Sequence, residues 1–276
     1  MQKVKVSDGV ELAYYIDDFV EPWIEEKDTI IMLHGCVDDS QVFKSMVPTL
    51  ARRYRVIRID ERGMGESTMA PGSYQASTER FVQDVLDLVD HLGIMKFHLF
   101  AQSTGGIIGV SFALAHPDRL KSLILCQTPY RLSEELEIRY RLGEKSIGAA
   151  IKKYGFREWN KKVPGYRLFD LTKVDPNIVE WYACHRAKNS TEAAAGRYDW
   201  TFTMDLSDRI KEMAVPTLLI VAEGSYQTPL KMVDYMKKQN PNIRVKILEG
   251  VQGQSIHLTE PDMVAQTILD FIKTID

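Results

Sequence analysis

A set of short apolar runs restricts the fold of this chain more than any other feature. Thr29 to Leu33 is nearly continuously apolar and stops at His34-Gly35. Val56 to Ile59, Phe97 to Phe100, Leu123 to Cys126 and Thr217 to Val221 have the same character, and Arg244 to Leu248 reads as a further strand at one edge. Runs this short, with no polar alternation, suit strands buried on both faces of a parallel sheet. Between them lie helical patterns. In Glu79 to Leu92 the residues Phe81, Val85, Leu88 and Leu92 recur at three- and four-residue steps, and Ile107 to His116 and Met263 to Ile272 are similar. Alternation of this kind predicts an α/β fold with a doubly wound, mostly parallel sheet. A β-rich entry precedes it: Lys3 to Val6, a turn at Ser7-Asp8-Gly9, then Val10 to Ile16.

One stretch breaks the alternation. From about Ser133 to Met213 the pattern is helical and loop-like, rich in Lys, Arg, Trp and Tyr, with no buried-strand run. The expected organisation is therefore a core from residues 1–132 and 214–276, with residues 133–213 inserted as a helical cap. The hydrophobic fraction of 45% and charged fraction of 26% are those of an ordinary globular protein. A net charge of -3, with both signs interspersed, gives no footprint for nucleic acid. No apolar run reaches the roughly 20 residues that span a bilayer, and Met1 to Tyr15 lacks the apolar stretch of a signal peptide. Cys36, Cys126 and Cys184 are widely spaced and form no CxxC pair, which argues against disulfides or structural zinc. The expectation is a cytoplasmic protein that handles a small molecule, with no cofactor, no metal and no membrane or nucleic-acid partner. Oligomeric state is not legible.

Chemistry is signalled first at Ala101-Gln102-Ser103-Thr104-Gly105-Gly106, between an expected strand and an expected helix. Small residues two before and two after the serine let a strand turn sharply into a helix with Ser103 at the apex. There its hydroxyl meets the backbone N–H groups and dipole of the helix N-terminus. His34-Gly35-Cys36 follows one strand and Asp60-Glu61-Arg62-Gly63-Met64-Gly65-Glu66-Ser67 the next. Together these motifs resemble the α/β-hydrolase superfamily in order and spacing, from about Val10 to Ile272. The resemblance implies Ser103 as nucleophile and the N–H groups of Cys36 and Thr104 as oxyanion hole.

The rest of the expected triad departs from that pattern. In Val221-Ala222-Glu223-Gly224-Ser225-Tyr226-Gln227-Thr228-Pro229, anchoring on Pro229 puts Ser225 at the acid position. The alternative acid position, Cys126-Gln127-Thr128, also lacks a carboxylate. In Gly253-Gln254-Ser255-Ile256-His257-Leu258, anchoring on His257-Leu258 puts Gln254 at the histidine position. Gln254 cannot take a proton near neutral pH, and without a base a serine hydroxyl is a poor nucleophile. His257 is the best candidate for a substitute base, although it lies about one helical turn past the expected place, where relatives more often carry a packing or hydrogen-bonding histidine. His34 is a second candidate, at a position that is usually structural. Asp38 and Asp39 follow the oxyanion loop and could reach a pocket, with a solvated turn the preferred reading, and Glu223 could point into the site, with a strand-end cap preferred. His91, His98, His116 and His185 are read as structural or surface residues.

The cap holds Trp159, Tyr166, Phe169, Trp181, Tyr182, Tyr198, Trp200 and Phe202. A helical insertion over such a sheet covers the crevice at the strand C-terminal ends, so some of these rings are expected to line an apolar pocket. Trp159, Trp181, Tyr130 and His34 are the named substrate-binding candidates. The expected function is an enzyme acting on a small aromatic or apolar carbonyl compound, an ester, lactone or C–C bond, at Ser103 with a non-standard triad. Two alternatives stand beside it: a lyase, isomerase or decarboxylase with a neutral hydrogen-bonding site, and a ligand-binding pseudoenzyme.

Overall fold

The computed structural model describes residues 1–69, 74, 76–163 and 168–275. Eight strands form one sheet: β1 (Gln2–Lys5), β2 (Glu11–Asp17), β3 (Thr29–Leu33), β4 (Arg55–Ile59), β5 (Phe97–Gln102), β6 (Leu120–Cys126), β7 (Thr217–Gly224) and β8 (Arg244–Gln252). Their spatial order is β1-β2-β4-β3-β5-β6-β7-β8. The first two strands form the antiparallel entry, and β2 pairs antiparallel with β4. Every later pairing is parallel. β8 is the edge strand that the sequence suggests.

Successive residues of each strand point to opposite faces, and the apolar runs fill both. Ile31 and Leu33 of β3 join the cluster that also holds Phe81, Val85 and Leu88 of helix Thr78–His91. Ile30 and Met32 join the opposite cluster, with Val264, Ile268 and Ile272 of helix Pro261–Ile272. The result is a sheet with helices on both faces.

In chain order the helices are α1 (Val47–Leu50), α2 (Thr78–His91), α3 (Gly105–Ala115), α4 (Glu134–Arg141), α5 (Ile147–Tyr154), α6 (Phe156–Lys162), α7 (Pro176–Arg186), α8 (Thr191–Thr203), α9 (Leu230–Gln239), α10 (Ile256–Thr259) and α11 (Pro261–Ile272). Helices α4 to α8 lie between β6 and β7 in sequence. Helices α4, α5, α6 and α8 share a third apolar cluster, built on Ile151, Phe156, Trp159, Ala194 and Tyr198, into which the core loops insert Val37 and Met64, whereas α7 packs Tyr182, Ile178 and Val179 on the second sheet cluster. Side-chain caps start α4, α5 and α8: Ser133, Ser146 and Ser190 each accept from the N–H three residues on.

The site follows from the crossover. β3 connects to β4 on one side and lies beside β5 on the other, so strand order reverses between β3 and β5. Ligands bind in the crevice outside the strand C-termini at such a point. The loop holding Cys36 and the turn holding Ser103 leave the sheet there, side by side.

Candidate functional site

Ser103 sits at φ 51°, a left-handed conformation that few non-glycine residues adopt. Its N–H donates to the Cys126 carbonyl at 2.8 Å, which fixes the turn against β6. The glycines behind it have no room for side chains. A Cβ on Gly105 would lie 2.2 Å from the His34 carbonyl oxygen, and one on Gly106 would lie 2.1 Å from Thr128 Oγ1. Helix α3 therefore presses its N-terminus directly onto the end of β3. Among the described residues, neither the Cys36 nor the Thr104 N–H donates a hydrogen bond. Both residues line a small cavity of about 50 Å³ together with Ser103.

The Ser103 hydroxyl donates to Gln227 Oε1 at 3.4 Å. Beside it lies a neutral relay. Ser225 Oγ donates to Gln254 Oε1 at 3.0 Å and accepts the Thr228 N–H at 3.2 Å. Gln254 Nε2 donates to the Gln127 carbonyl at 2.6 Å, and Gln127 Nε2 donates to the Gly253 carbonyl at 2.7 Å. Every member of this network is uncharged across the working pH range. Gln254 and Ser103 both line the cavity.

His257 lies elsewhere. Its ring is fully buried, packs 5.8 Å from Phe43, and finds no hydrogen-bond partner for either nitrogen among the described residues. Burial pushes its pKa down to about 3, so it stays neutral. It does not line the Ser103 cavity, because the α10 turn carries its side chain into the core. His34 is also removed from the cavity. Its Nε2 accepts the Glu61 N–H at 3.0 Å, which places the proton on Nδ1, 2.8 Å from the Gly35 carbonyl. That ring ties the loop after β3 to the end of β4.

The other named ring candidates are displaced too. Trp159 is fully buried in the cap, its Nε1 donating to the Tyr140 carbonyl at 2.8 Å. Trp181 is 40% exposed and stacks on His185. Tyr130 lines an outer groove of about 850 Å³ that shares Leu132, Phe202 and Gln227 with the inner cavity. Of the cap rings, Tyr140, Tyr182, Tyr198 and Phe202 line the cavity itself. Phe169 and Trp200 pack into the two sheet clusters, and Tyr166 lies outside the described residues.

The charged half of the site departs from the preferred reading of its two aspartates. Asp38 and Asp39 are 3% and 6% exposed, not in a solvated turn. Two consecutive residues at the end of α7 cover them: Arg186 Nε meets Asp38 Oδ1 at 3.1 Å, and His185 Nε2 meets Asp39 Oδ2 at 2.5 Å. Arg186 also donates to the Cys36 carbonyl at 3.1 Å and to the Tyr198 hydroxyl at 3.0 Å. Asn189 holds the Val37 carbonyl at 3.1 Å, while Val37 itself sits at φ 56°. The cap thus sets the path of the loop that carries Cys36. Burial raises the Asp38 pKa, against the opposing pull of Arg186. Burial also pushes the Cys36 thiol up to about 11, which suits a pocket wall and not a thiolate nucleophile.

A family model described as alpha/beta hydrolase fold matches residues 28–144. A thermophilic esterase from Thermogutta terrifontis, solved with malate bound, superposes with a TM-score of 0.84 at 25% identity, covering 100% of this chain and 99% of its own. The chain has the α/β-hydrolase fold. An α/β-hydrolase-fold neighbour, the enol-lactonase from Burkholderia xenovorans, has a TM-score of 0.81 at 23% identity over 99% of this chain and 100% of that one. In sequence, a pimeloyl-[acyl-carrier protein] methyl ester esterase from Legionella pneumophila is 24% identical over 254 residues, 88% of this chain and 95% of the relative. No helix among the described residues is long and apolar enough to cross a membrane.

Proposed function

We propose that this chain is an α/β-hydrolase-fold enzyme that binds a small carbonyl compound and stabilises its oxygen as an oxyanion or enolate, without a serine–histidine relay. The observation that carries this reading is the state of Gln254. Its carbonyl is taken by Ser225 and its amide by the Gln127 carbonyl, and Ser103 turns to Gln227 instead. An uncharged amide in that place accepts no proton from Ser103, so the serine acts as a hydrogen-bonding group. Loss of the base costs a serine hydrolase on the order of 10⁶ in turnover, far more than binding contacts restore. What remains is the oxyanion hole and a pocket lined by polar groups, which favour lyase or isomerase chemistry over ester hydrolysis.

The inner cavity takes the carbonyl end, and the outer groove beyond Leu132, Phe202 and Gln227 takes the remainder of an apolar or aromatic substrate. The esterase and enol-lactonase names among the similar proteins agree with a carbonyl substrate.

A fluorophosphonate probe tests the reading directly. The wild type should remain unlabelled, while the double variant Ser225→Asp, Gln254→His should label at Ser103 and hydrolyse p-nitrophenyl acetate. Rapid labelling of the wild type at Ser103 would reject it.

A further inference from the structure

We propose that Asp38 is the general base of this site: its carboxylate, held over the oxyanion loop by Arg186, removes and returns a proton on the carbon next to a carbonyl whose oxygen is held by the Cys36 and Thr104 amides. The proposal rests on the carbonyl-binding reading above and names the group that moves the proton.

Position is the first argument. Asp38 is the one carboxylate among the described residues that line the Ser103 cavity. From the point where a Cβ would stand on Gly35, Asp38 Oδ2 lies 2.9 Å away and Ser103 Cβ 3.3 Å. The absent side chain of Gly35 is what lets carboxylate and elbow converge. A general base needs hydrogen-bond reach of the proton it takes, and a carbonyl held at the oxyanion amides brings its α-carbon into this corner.

The second argument is orientation. Arg186 Nε engages Oδ1, whereas Oδ2 is the oxygen that approaches the elbow. Arg186 is itself held by Asn160 Oδ1 at 3.3 Å, the Tyr198 hydroxyl and the Cys36 carbonyl. A base fixed this firmly needs no reorganisation during reaction.

Chemical competence is the third. A carboxylate paired with a guanidinium is ordinarily a weak base, but burial raises Asp38 against the pull of Arg186, His34 and the Tyr182 hydroxyl, and neighbouring Asp39 adds to the rise. The other ionisable groups in the cavity do not compete. Burial raises the Tyr140, Tyr182 and Tyr198 phenols and the Cys36 thiol, leaving them protonated, and Arg186 stays charged.

The step balances without an oxidant or co-reactant. The α-C–H bond breaks and its proton moves to Asp38 Oδ2. The C–H electron pair becomes the enolate double bond, and the carbonyl π pair moves to the oxygen facing the two amides. Return of a proton to carbon, from the same carboxyl, completes an isomerisation or an exchange.

Exchange of the α-protons of acetophenone in D2O, followed by proton NMR with the full chain, tests this, and binding is measured separately by saturation transfer. Wild type should accelerate exchange, Asp38→Asn should lose about 10²-fold or more while still binding the ketone, and Asp38→Glu should recover part of the rate. Exchange by Asp38→Asn within about threefold of wild type would overturn the proposal. So would a wild type that binds acetophenone without exchanging it, though the carbonyl-binding reading would then stand. Absence of binding would sink both. If Asp38→Asn does not fold, the wild-type pH profile decides. Exchange should rise with pH through one ionisation above the ordinary carboxylate range, and a flat profile would reject Asp38.

Discussion

A methyl group on Gly35 would stand 2.4 Å from Gln102 Oε1 and 2.9 Å from Asp38 Oδ2. Neither contact has a flexible way out, because both side chains are buried beneath the cap. Gly35→Ala should therefore destabilise the protein by about 1–3 kcal/mol, the usual cost of overpacking, measured by urea denaturation. It should also displace Asp38 and slow acetophenone exchange more than it weakens binding. Unchanged stability would mean that the corner is looser than these distances require. At this scale the sequence was informative where chemistry is written locally. The elbow around Ser103, the loop at Cys36 and the loops that carry Ser225 and Gln254 could all be singled out by motif. Asp38 could not. An Asp-Asp-Ser stretch after a strand reads as a solvated turn, and only the arrival of Arg186 and His185, far along the chain, buries it.

Helix α7 is the element that links the cap to the chemistry. Its last two residues pair with two consecutive aspartates of the core, so a rigid helix end faces a rigid loop. The His185–Asp39 contact lies nearer solvent, whereas Arg186 and Asp38 are 4% and 3% exposed. Breaking a buried pair by removing one partner costs about 3–5 kcal/mol, because the other charge is left without a counter-ion. Arg186→Met should show a loss of this size by urea denaturation, and Arg186→Met combined with Asp38→Leu should recover most of it. Additive losses in the double variant would show that the two side chains are not coupled. No period in α7 announces this role, since its contacts are tertiary and span about 150 residues of sequence. The sheet differs in this respect. Its strands were legible because burial on both faces demands continuous apolar runs, and the buried helices were legible from three- and four-residue spacing. Helix α9, with Val233 and Met236 inward among lysines, carries the same spacing more weakly and was not singled out.

For the molecule as a whole, the most telling residue is one that plays no part in the cavity. His257 is buried in the core with both ring nitrogens unpartnered among the described residues, and burial holds its pKa at about 3. In the unfolded chain the same side chain titrates near 6.5. Because the folded pKa is depressed, the unfolded state binds the extra proton first as pH falls below 6.5, and folding stability declines from there toward about 3. The slope for one such group is about 1.4 kcal/mol per pH unit, so lowering the pH from 7 to 5 should cost about 2 kcal/mol through this residue alone. His257→Leu removes that linkage and two unsatisfied polar atoms at similar volume, so at pH 7 it should be neutral or mildly stabilising. Its stability should then fall by about 2 kcal/mol less than wild type between pH 7 and 5 in urea titrations. Parallel losses in the two proteins would show that His257 is protonated or partnered in the fold, and would reopen its candidacy as a base. Equal loss is therefore the outcome that would disturb the reading of the site from a distance, because the cavity around Ser103 lacks an imidazole only so long as His257 stays neutral inside the core.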